Sequence, residues 1–286
     1  MDAILINVLN GVSYAFILFL LASGLSLIFG VMGILNLAHG ALYMLGAYFG
    51  LTAVNTWGNF GVSCLLAAVG VGFVGLILER VFLKRLYKQI NEQALLTLGI
   101  VYIITNTVLW IWGPWSRIGK EPPLLSGRVN VGGLVFPTYR LGIILIGLAL
   151  FFGLWWLQDK TRIGAAIRAG MDDKEMTIGL GTDFKLISTA VFIAGAMMGG
   201  LAGILGAPII GVYPELSMGI LLLAMIVVVV GGLGSIQGAL IGSLIIGLID
   251  TFGKAYFPDA SMFIIYLIFI IMLLVKPTGI LGRKKE

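Results

Sequence analysis

The segment FIAGAMMGGLAGILGA, residues 192–207, sets the fold class of this chain. It forms most of a longer apolar run, Leu186 to Ala207, in which Gly195, Gly199 and Gly203 recur every four residues. This spacing aligns the glycines on one helix face, where missing side chains allow a second backbone to come close. About 20 apolar residues are enough to cross the hydrocarbon of a bilayer as a helix. The run therefore predicts a tightly packed membrane helix.

The composition extends this prediction to the whole chain. Of its 286 residues, 59% are hydrophobic and 11% are charged, whereas about 25% of an ordinary soluble domain is charged. Apolar segments of helix length recur throughout, without the alternation expected of barrel strands. We predict an all-α, polytopic membrane bundle of about 8–9 transmembrane helices, forming a single domain over residues 1–286. The predicted segments are Ile4 to Phe29, Gly40 to Thr56, Gly61 to Leu78, Ala94 to Gly113, Leu141 to Leu157, Leu186 to Ala207, Met218 to Gly232, Ala239 to Phe257 and Met262 to Val275.

The distribution of positive charge predicts an orientation. Most of the 18 Lys and Arg residues fall in residues 79–93, in residues 158–185 and in the tail from residue 276. Short loops rich in Lys and Arg stay on the cytoplasmic side, so alternating segments place the N-terminus outside and the C-terminus in the cytoplasm. Residues 114–140 then form a long external loop. The first segment lacks a basic region and a cleavage pattern, so we expect it to be retained as a span.

The motifs of soluble enzymes are absent or misplaced. The glycines of GVGFVG, residues 70–75, match a dinucleotide fingerprint but lie inside an apolar segment with no preceding strand. No phosphate-binding loop of the Gly-x-x-x-x-Gly-Lys-Ser/Thr type occurs. One histidine and one cysteine cannot build a histidine or cysteine metal site, or a disulfide. We expect no enzymatic activity, no cofactor and no metal, and the loop location of the bases removes the argument for nucleic acid.

Three polar side chains in apolar surroundings are candidates for a solute pathway: Asn36, His39 and Asn106. Polar groups inside a membrane face protein or water rather than lipid, so each is expected either to line the pathway or to join two helices. On a continuous helix, Asn36 and His39 would share a face. A break around Gly33 and Gly40 would instead let both side chains cap free backbone groups.

Two features near the C-terminus have simpler interpretations. Asp250 and Lys254 are four residues apart, which favours an ion pair near the external surface over a substrate contact. The glycines from Gly231 to Gly238 predict a tight turn between the seventh and eighth segments.

The stretch TRIGAAIRAGMDDKEMTIGLGTDFK, residues 161–185, predicts a pair of short helices. Asp172 is expected to cap the second helix, with Glu175 as its capping-box partner. Gly179 and Gly181 are expected to end it. The apolar stripe of the first helix consists of Ile163, Ala166, Ile167 and Met171.

The balanced charge of this pair suits docking into a groove of a partner protein. The alternative is a helix that lies on the lipid surface, but its charges are too balanced for strong attraction to anionic lipid. We therefore favour a protein partner.

Four segments follow one another in an order typical of one family. They are GLSLIFGVMGILNLAHGALYMLGAY (24–48), IRAGMDDKEMTIGLGTD (167–183), VVVVGGLGSIQGALIGSLIIGLID (227–250) and LLVKPTGILGRKKE (273–286). This succession resembles the H-type membrane permease subunit of Liv-type ABC importers, the branched-chain amino acid transporter family. The resemblance extends from about residue 15 to the C-terminus.

The resemblance implies an ABC importer permease fold and a five-part transporter. This chain would pair with a second, related permease subunit of the M type. Two ABC ATPase subunits would dock beneath them, and an extracytoplasmic solute-binding protein would deliver the solute. The chain would lie among lipid in the cytoplasmic membrane of a bacterium or archaeon. Residues 159–185 would hold the cytoplasmic coupling helix, with Arg168, Ala169, Gly170, Asp172, Asp173, Glu175, Leu180 and Gly181 as candidate ATPase-coupling residues.

The resemblance implies import of a branched-chain or other apolar amino acid. Ala41 follows the His-Gly pair where many relatives, including urea permeases, have a carboxylate, which disfavours urea but leaves amides and aromatic acids as alternatives. From the residues alone, the second hypothesis is an ion-coupled secondary transporter or a channel-like facilitator. Such proteins place carboxylates at mid-membrane, and the central parts of these segments hold no clear carboxylate.

Overall fold

The computed structural model describes residues 2–86, 89–131 and 134–282. Within these ranges, the α-helices are α1 (Asp2–Met32), α2 (His39–Trp57), α3 (Phe60–Ile77), α4 (Ile90–Trp112), α5 (Thr138–Lys160), α6 (Arg162–Asp172), α7 (Lys174–Gly179), α8 (Phe184–Ile210), α9 (Leu216–Gly231), α10 (Ile236–Tyr256) and α11 (Ser261–Val275). A π-turn and a 3-10 turn, Leu78–Phe82 and Leu83–Leu86, continue α3. Four bases of the predicted cytoplasmic loops lie outside the described residues: Lys88, Arg283, Lys284 and Lys285.

Seven of the described helical segments are long and apolar enough to cross a membrane: α1, α3 with the two turns that continue it, α4, α5, α8, α10, and α11 with the 3-10 turn Pro258–Ala260 before it. This confirms an all-α, polytopic membrane fold. Each of the nine predicted segments coincides with a helix. Because α9 has only 16 residues and α2 is not among the seven, the number of membrane crossings stays a prediction.

Both α2 and α9 begin inside the bundle. The Nε2 atom of His39, the first residue of α2, lies 3.0 Å from the carbonyl oxygen of Leu21 in α1. At about 1.5 Å of rise per residue, Leu21 is about 16 Å before the end of α1. The start of α9 meets α2 at this depth, since a Cβ atom on Gly40 would overlap the carbonyl oxygen of Ser217. Residues 33–38 therefore run as non-helical chain into the middle of the bundle.

Helix α8 is the centre of the fold and packs against α1, α2 and α3. Its glycines make the contacts: a Cβ atom on Gly195 would lie 2.8 Å from the carbonyl oxygen of Gly24 in α1, and Gly200 lies against Gly46 in α2. Gly203 approaches the backbone of Tyr43 equally closely. The close packing predicted from the four-residue glycine spacing is confirmed.

The bundle has two ends. The α6 end holds α6, α7, the turn of residues 232–235 and residues 276–282, since the N–H groups of Ile280 and Leu281 donate to Val230 and Gly231. The other, the β-hairpin end, holds the start of α1, where Asn10 Oδ1 accepts a hydrogen bond from Arg140 at 2.6 Å. The first and last described residues thus lie at opposite ends.

The sequence predicts a tight turn between the seventh and eighth segments and a long loop over residues 114–140, and the structure agrees more closely with the first prediction than with the second. The turn between α9 and α10 is confirmed, with Gly232 and Gly234 at φ 109° and 80°. The connection of residues 114–140 contains a hairpin that was not predicted, in which β1 (Arg128–Val131) pairs antiparallel with β2 (Leu134–Pro137). The last three residues of that range already belong to α5.

Substitution of Gly46 tests the backbone contact between α2 and α8. In Gly46→Ala, the new methyl group overlaps the backbone of Gly200, and we expect the helices to separate at a cost of about 1–3 kcal/mol. Thermal unfolding of the purified protein in detergent measures this loss. Gly99→Ala is the matched control, because no atom lies within 4 Å of a Cβ atom there. An equal loss in both variants contradicts the assignment.

Candidate functional site

The site begins where the chain leaves α1. Gly33 has φ 67°, a left-handed conformation that glycine adopts without strain, and it ends α1. Asn36 then supplies bonds to the backbone that follows: its side-chain Oδ1 accepts from the N–H of Ala38 at 3.1 Å, and its carbonyl accepts from His39 at 3.2 Å. Of the two alternatives for this stretch, the break is correct. It lies at Gly33, and Gly40 belongs to α2.

The imidazole of His39 is fully buried between three helices. Its Nε2 atom bonds the Leu21 carbonyl, which requires Nε2 to carry the proton, so Nδ1 is left as an acceptor. On the other side, a Cβ atom on Gly199 of α8 would lie 3.5 Å from the ring. His39 therefore joins α2 to α1 and α8.

Three buried polar side-chain atoms near the start of α2 have no hydrogen-bond partner among the described residues: Asn36 Nδ2, His39 Nδ1 and the Tyr43 hydroxyl. Asn36 is 1% exposed, and His39 and Tyr43 are 0% exposed. Buried polar atoms are nearly always paired in folded proteins. Such atoms are candidates for binding a group that is not part of this chain.

Two side chains that sequence reasoning missed complete the surroundings of this site. The hydroxyl oxygen of Thr97 accepts the N–H of Leu37 at 3.3 Å. Thr105 Oγ1 lies 3.5 Å from Ser217 Oγ, beside the start of α2. The available signal was the presence of hydroxyl side chains at Thr97 and Thr105 in the otherwise largely apolar α4.

Asn106 is not brought to this site. Its side chain is exposed on the outer face of α4 and donates to the carbonyl of Tyr102 at 2.8 Å. Its assignment to the solute pathway stays a prediction, since an exposed face of one chain is available to a partner chain.

The predicted pair of short helices is present as α6 and α7, with one correction to the cap. The cap of α7 is Asp173 and not Asp172, because the Asp173 carboxylate accepts from the N–H of Met176 at 2.9 Å. Glu175 is two residues after this cap, so it is not the capping-box partner that was predicted. Asp172 is the last residue of α6. The two residues are identical in type, so the sequence alone did not decide between them.

The outer surface of this pair carries most of the candidate coupling residues. Asp172, Asp173, Glu175, Leu180 and Gly181 are exposed, with Leu180 78% exposed. Gly181, at φ 86°, follows the end of α7 as predicted. Arg168 and Gly170 lie on the inner side of α6, half-buried and buried.

The apolar stripe of α6 is narrower than predicted. Ile167 is buried and Met171 is half-buried, but Ile163 is 62% exposed. Together with Met176 and Ile178 of α7, 65% and 50% exposed, it adds to an apolar surface at the α6 end. Exposed apolar patches of this kind mark interaction sites.

The ion pair predicted near the opposite end is present. Lys254 Nζ lies 2.6 Å from Asp250 Oδ2, and the aspartate side chain is 7% exposed. The prediction of a plain ion pair is confirmed.

Comparison with known proteins decides the family. Residues 7–273 match the family described as branched-chain amino acid transport system / permease component. The chain belongs to this family. It is therefore a transport permease component and a multi-pass membrane protein, as the resemblance implied. No solved structure matches it.

Relatives of this permease extend over nearly its full length. It is 30% identical to the high-affinity branched-chain amino acid transport system permease protein BraD of Pseudomonas aeruginosa, over 97% of this chain and 95% of the relative. It is also 30% identical to the corresponding protein LivH of Escherichia coli, over 96% and 94%. The autoinducer 2 import system permease protein LsrC of Yersinia enterocolitica is 27% identical, over 84% and 66%.

Substitution of His39 tests its bond to α1. In His39→Ala the permease loses this bond and gains a cavity, and we expect the free energy of unfolding to fall by about 2–4 kcal/mol. His39→Gln keeps a donor near the Leu21 carbonyl and is expected to lose about 1 kcal/mol. Thermal unfolding in detergent measures both.

Asn106→Ala is the control for the His39 variants. Its side chain is exposed and bonds only its own helix, so the change in stability is expected to stay within about 0.5 kcal/mol. Equal stability of His39→Ala and the wild type contradicts a role of the imidazole in joining α1, α2 and α8.

Proposed function

We propose that this permease is the translocating subunit of an ABC importer for branched-chain or related apolar amino acids. The observation that carries the proposal is the start of α2 in the middle of the bundle, with unpartnered polar atoms on Asn36 and His39. Substrate sites of many transporters lie near the bilayer midplane, where helices are discontinuous. This chain would form one half of the pathway and would itself hydrolyse no ATP.

The chemistry of the site agrees with a small zwitterion that has an apolar side chain. Asn36 Nδ2 is a hydrogen-bond donor and His39 Nδ1 an acceptor, so the pair matches a solute that has both a carboxylate and an amino group. The surroundings are apolar, with Leu42, Met44 and Ile34 buried nearby along the chain. In the structure this site is closed, and the proposal includes its opening during the cycle.

The carboxylates of the described residues argue against ion coupling. Two are buried, Glu79 and Asp250. Glu79 follows α3 and accepts a hydrogen bond from Thr189 at 3.1 Å, and Asp250 is paired with Lys254. Both lie towards the ends of the bundle rather than at the level of His39. Ion-coupled transporters tend to place a carboxylate at mid-membrane to bind a proton or sodium.

The partners follow from the two ends of the bundle. The α6 end is proposed to face the cytoplasm, where two ATPase subunits would dock on α7 and the adjoining residues 159–185. The β-hairpin end would face outward and meet the solute-binding protein through residues 114–140. A second permease subunit of the M type would cover an exposed face of this chain, which brings Asn106 into the pathway between the two subunits.

Reconstitution tests the proposed function. The permease is purified with a second permease subunit and two ATPases, placed in liposomes and supplied with the solute-binding protein. We expect ATP-dependent uptake of labelled leucine that excess isoleucine or valine inhibits. Inhibition by urea, an amide or an aromatic acid, without inhibition by these amino acids, assigns another solute. Uptake that continues at the same rate without the ATPases overturns the proposal.

Substitution of Leu180 tests the docking of α7. Leu180→Ser removes an apolar side chain that is 78% exposed at the α6 end. We expect co-purification of the ATPases and ATP-dependent uptake to fall about tenfold, because an apolar contact in a partner groove is lost. Leu274→Ser is the matched control, since Leu274 is 80% exposed on α11. Normal ATPase binding by Leu180→Ser contradicts this role.

A further inference from the structure

Helix α6 is fixed to the bundle, whereas α7 is exposed along most of its length. Gly164 of α6 lies against the carbonyl oxygen of Gln158, and Gly170 lies against the ring of Phe184. Arg168 Nη1 is 3.6 Å from Asp159 Oδ1. A movement of α7 reaches the rest of the chain through α6 and through Phe184 of α8, whose ring centroid is 4.9 Å from Lys174 Nζ.

Met171 makes a further contact of α6, with two glycines from distant parts of the chain. A Cβ atom on Gly30, near the end of α1, would lie 2.8 Å from the Met171 methyl carbon, Cε. A Cβ atom on Gly234, in the turn between α9 and α10, would lie 2.5 Å from it. The methyl group therefore lies in a notch between Gly30 and Gly234, in space that a side chain at either glycine would take unless the flexible end of Met171 moved aside.

The two sides of this glycine notch are themselves joined. The N–H of Gly234 donates to Ser26 Oγ of α1 at 3.0 Å, and a Cβ atom on Gly30 would lie 2.8 Å from Gly234 Cα. The last turn of α1 and the turn between α9 and α10 thus form one unit. From Gly30 the chain leads directly through Gly33 to the start of α2.

We propose that Met171 is a positioning residue that transmits movement of α6 and α7 to α1 and to the turn between α9 and α10. It thereby couples ATP hydrolysis by the partner ATPases to the opening of the site at Asn36 and His39. This inference rests on the proposed function. The Arg168–Asp159 pair does not serve the same purpose, because both side chains are partly exposed and it joins α6 only to α5.

The side-chain chemistry explains why a methionine fits this position. Its unbranched, flexible side chain reaches into an irregular gap that a β-branched residue does not fill. Leucine has a similar volume and is tolerated in place of methionine in most packed sites. Alanine does not reach the notch. Met171→Leu therefore keeps the notch filled, whereas Met171→Ala leaves it empty, so the two variants show the effect of filling the notch.

The experiment measures ATP hydrolysis and leucine uptake on the same proteoliposomes. In Met171→Ala we expect uptake per ATP hydrolysed to fall about tenfold while hydrolysis stays within about twofold of the wild type. Met171→Leu is expected to restore the ratio to within about twofold. Met262→Ala is the matched control, since Met262 is 69% exposed on α11, and its ratio is expected to equal that of the wild type.

Three results overturn the inference while the proposed function stands: an unchanged ratio in Met171→Ala, no restoration by Met171→Leu, and a loss of hydrolysis in parallel with uptake. Failure of Met171→Ala to co-purify with its partners also overturns it, because the role is then structural. Absence of ATP-dependent uptake by the wild-type complex is a different result, and it overturns the proposed function together with this inference.

Discussion

Hydrocarbon offers no hydrogen bonds to a polypeptide backbone, and the arrangement of this chain depends on that constraint. Residues 33–38 leave the helical conformation inside the bundle, so protein groups must satisfy their N–H groups. The side-chain oxygen of Asn36 accepts a hydrogen bond from the N–H of Ala38, and the hydroxyl oxygen of Thr97 in α4 accepts one from the N–H of Leu37. The non-helical segment in the middle of the bundle is thus held by α4 beside it and by its own Asn36.

The same constraint links the centre of the bundle to its α6 end. Helix α1 passes through both, with Leu21 beside His39 at mid-depth and Gly30 beside Met171 at the end. A displacement of its last turn is carried along the helix, because each turn is held by its own backbone hydrogen bonds. The proposed solute site and the proposed coupling loop are therefore two contacts of one element, separated by about two and a half helical turns.

Features that depend on local sequence were predictable. The length of the apolar segments and the glycine spacing gave the helices and their close contacts, because both are properties of one helix at a time. The ion pair of Asp250 and Lys254 followed in the same way. The family followed from four motifs in order.

Features that depend on distant residues were not predictable. Whether Asn106 faces inward depends on which side of α4 packs against Ser217, a residue far along the chain. The depth of His39 depends on the carbonyl of Leu21. The cap of α7 was displaced by one residue because Asp172 and Asp173 offer the same carboxylate to adjacent positions.

The contact of Gly46 with Gly200 has a mechanical consequence. Where two helices touch through backbone alone, no side chain at the contact can change rotamer to accommodate a small shift. Strain at such a contact is not absorbed by a change of side-chain rotamer, and it passes to the neighbouring elements. Helices α2 and α8 are therefore expected to travel together as a rigid body, and the deformation of a working cycle is left to the periphery, where side chains separate the helices.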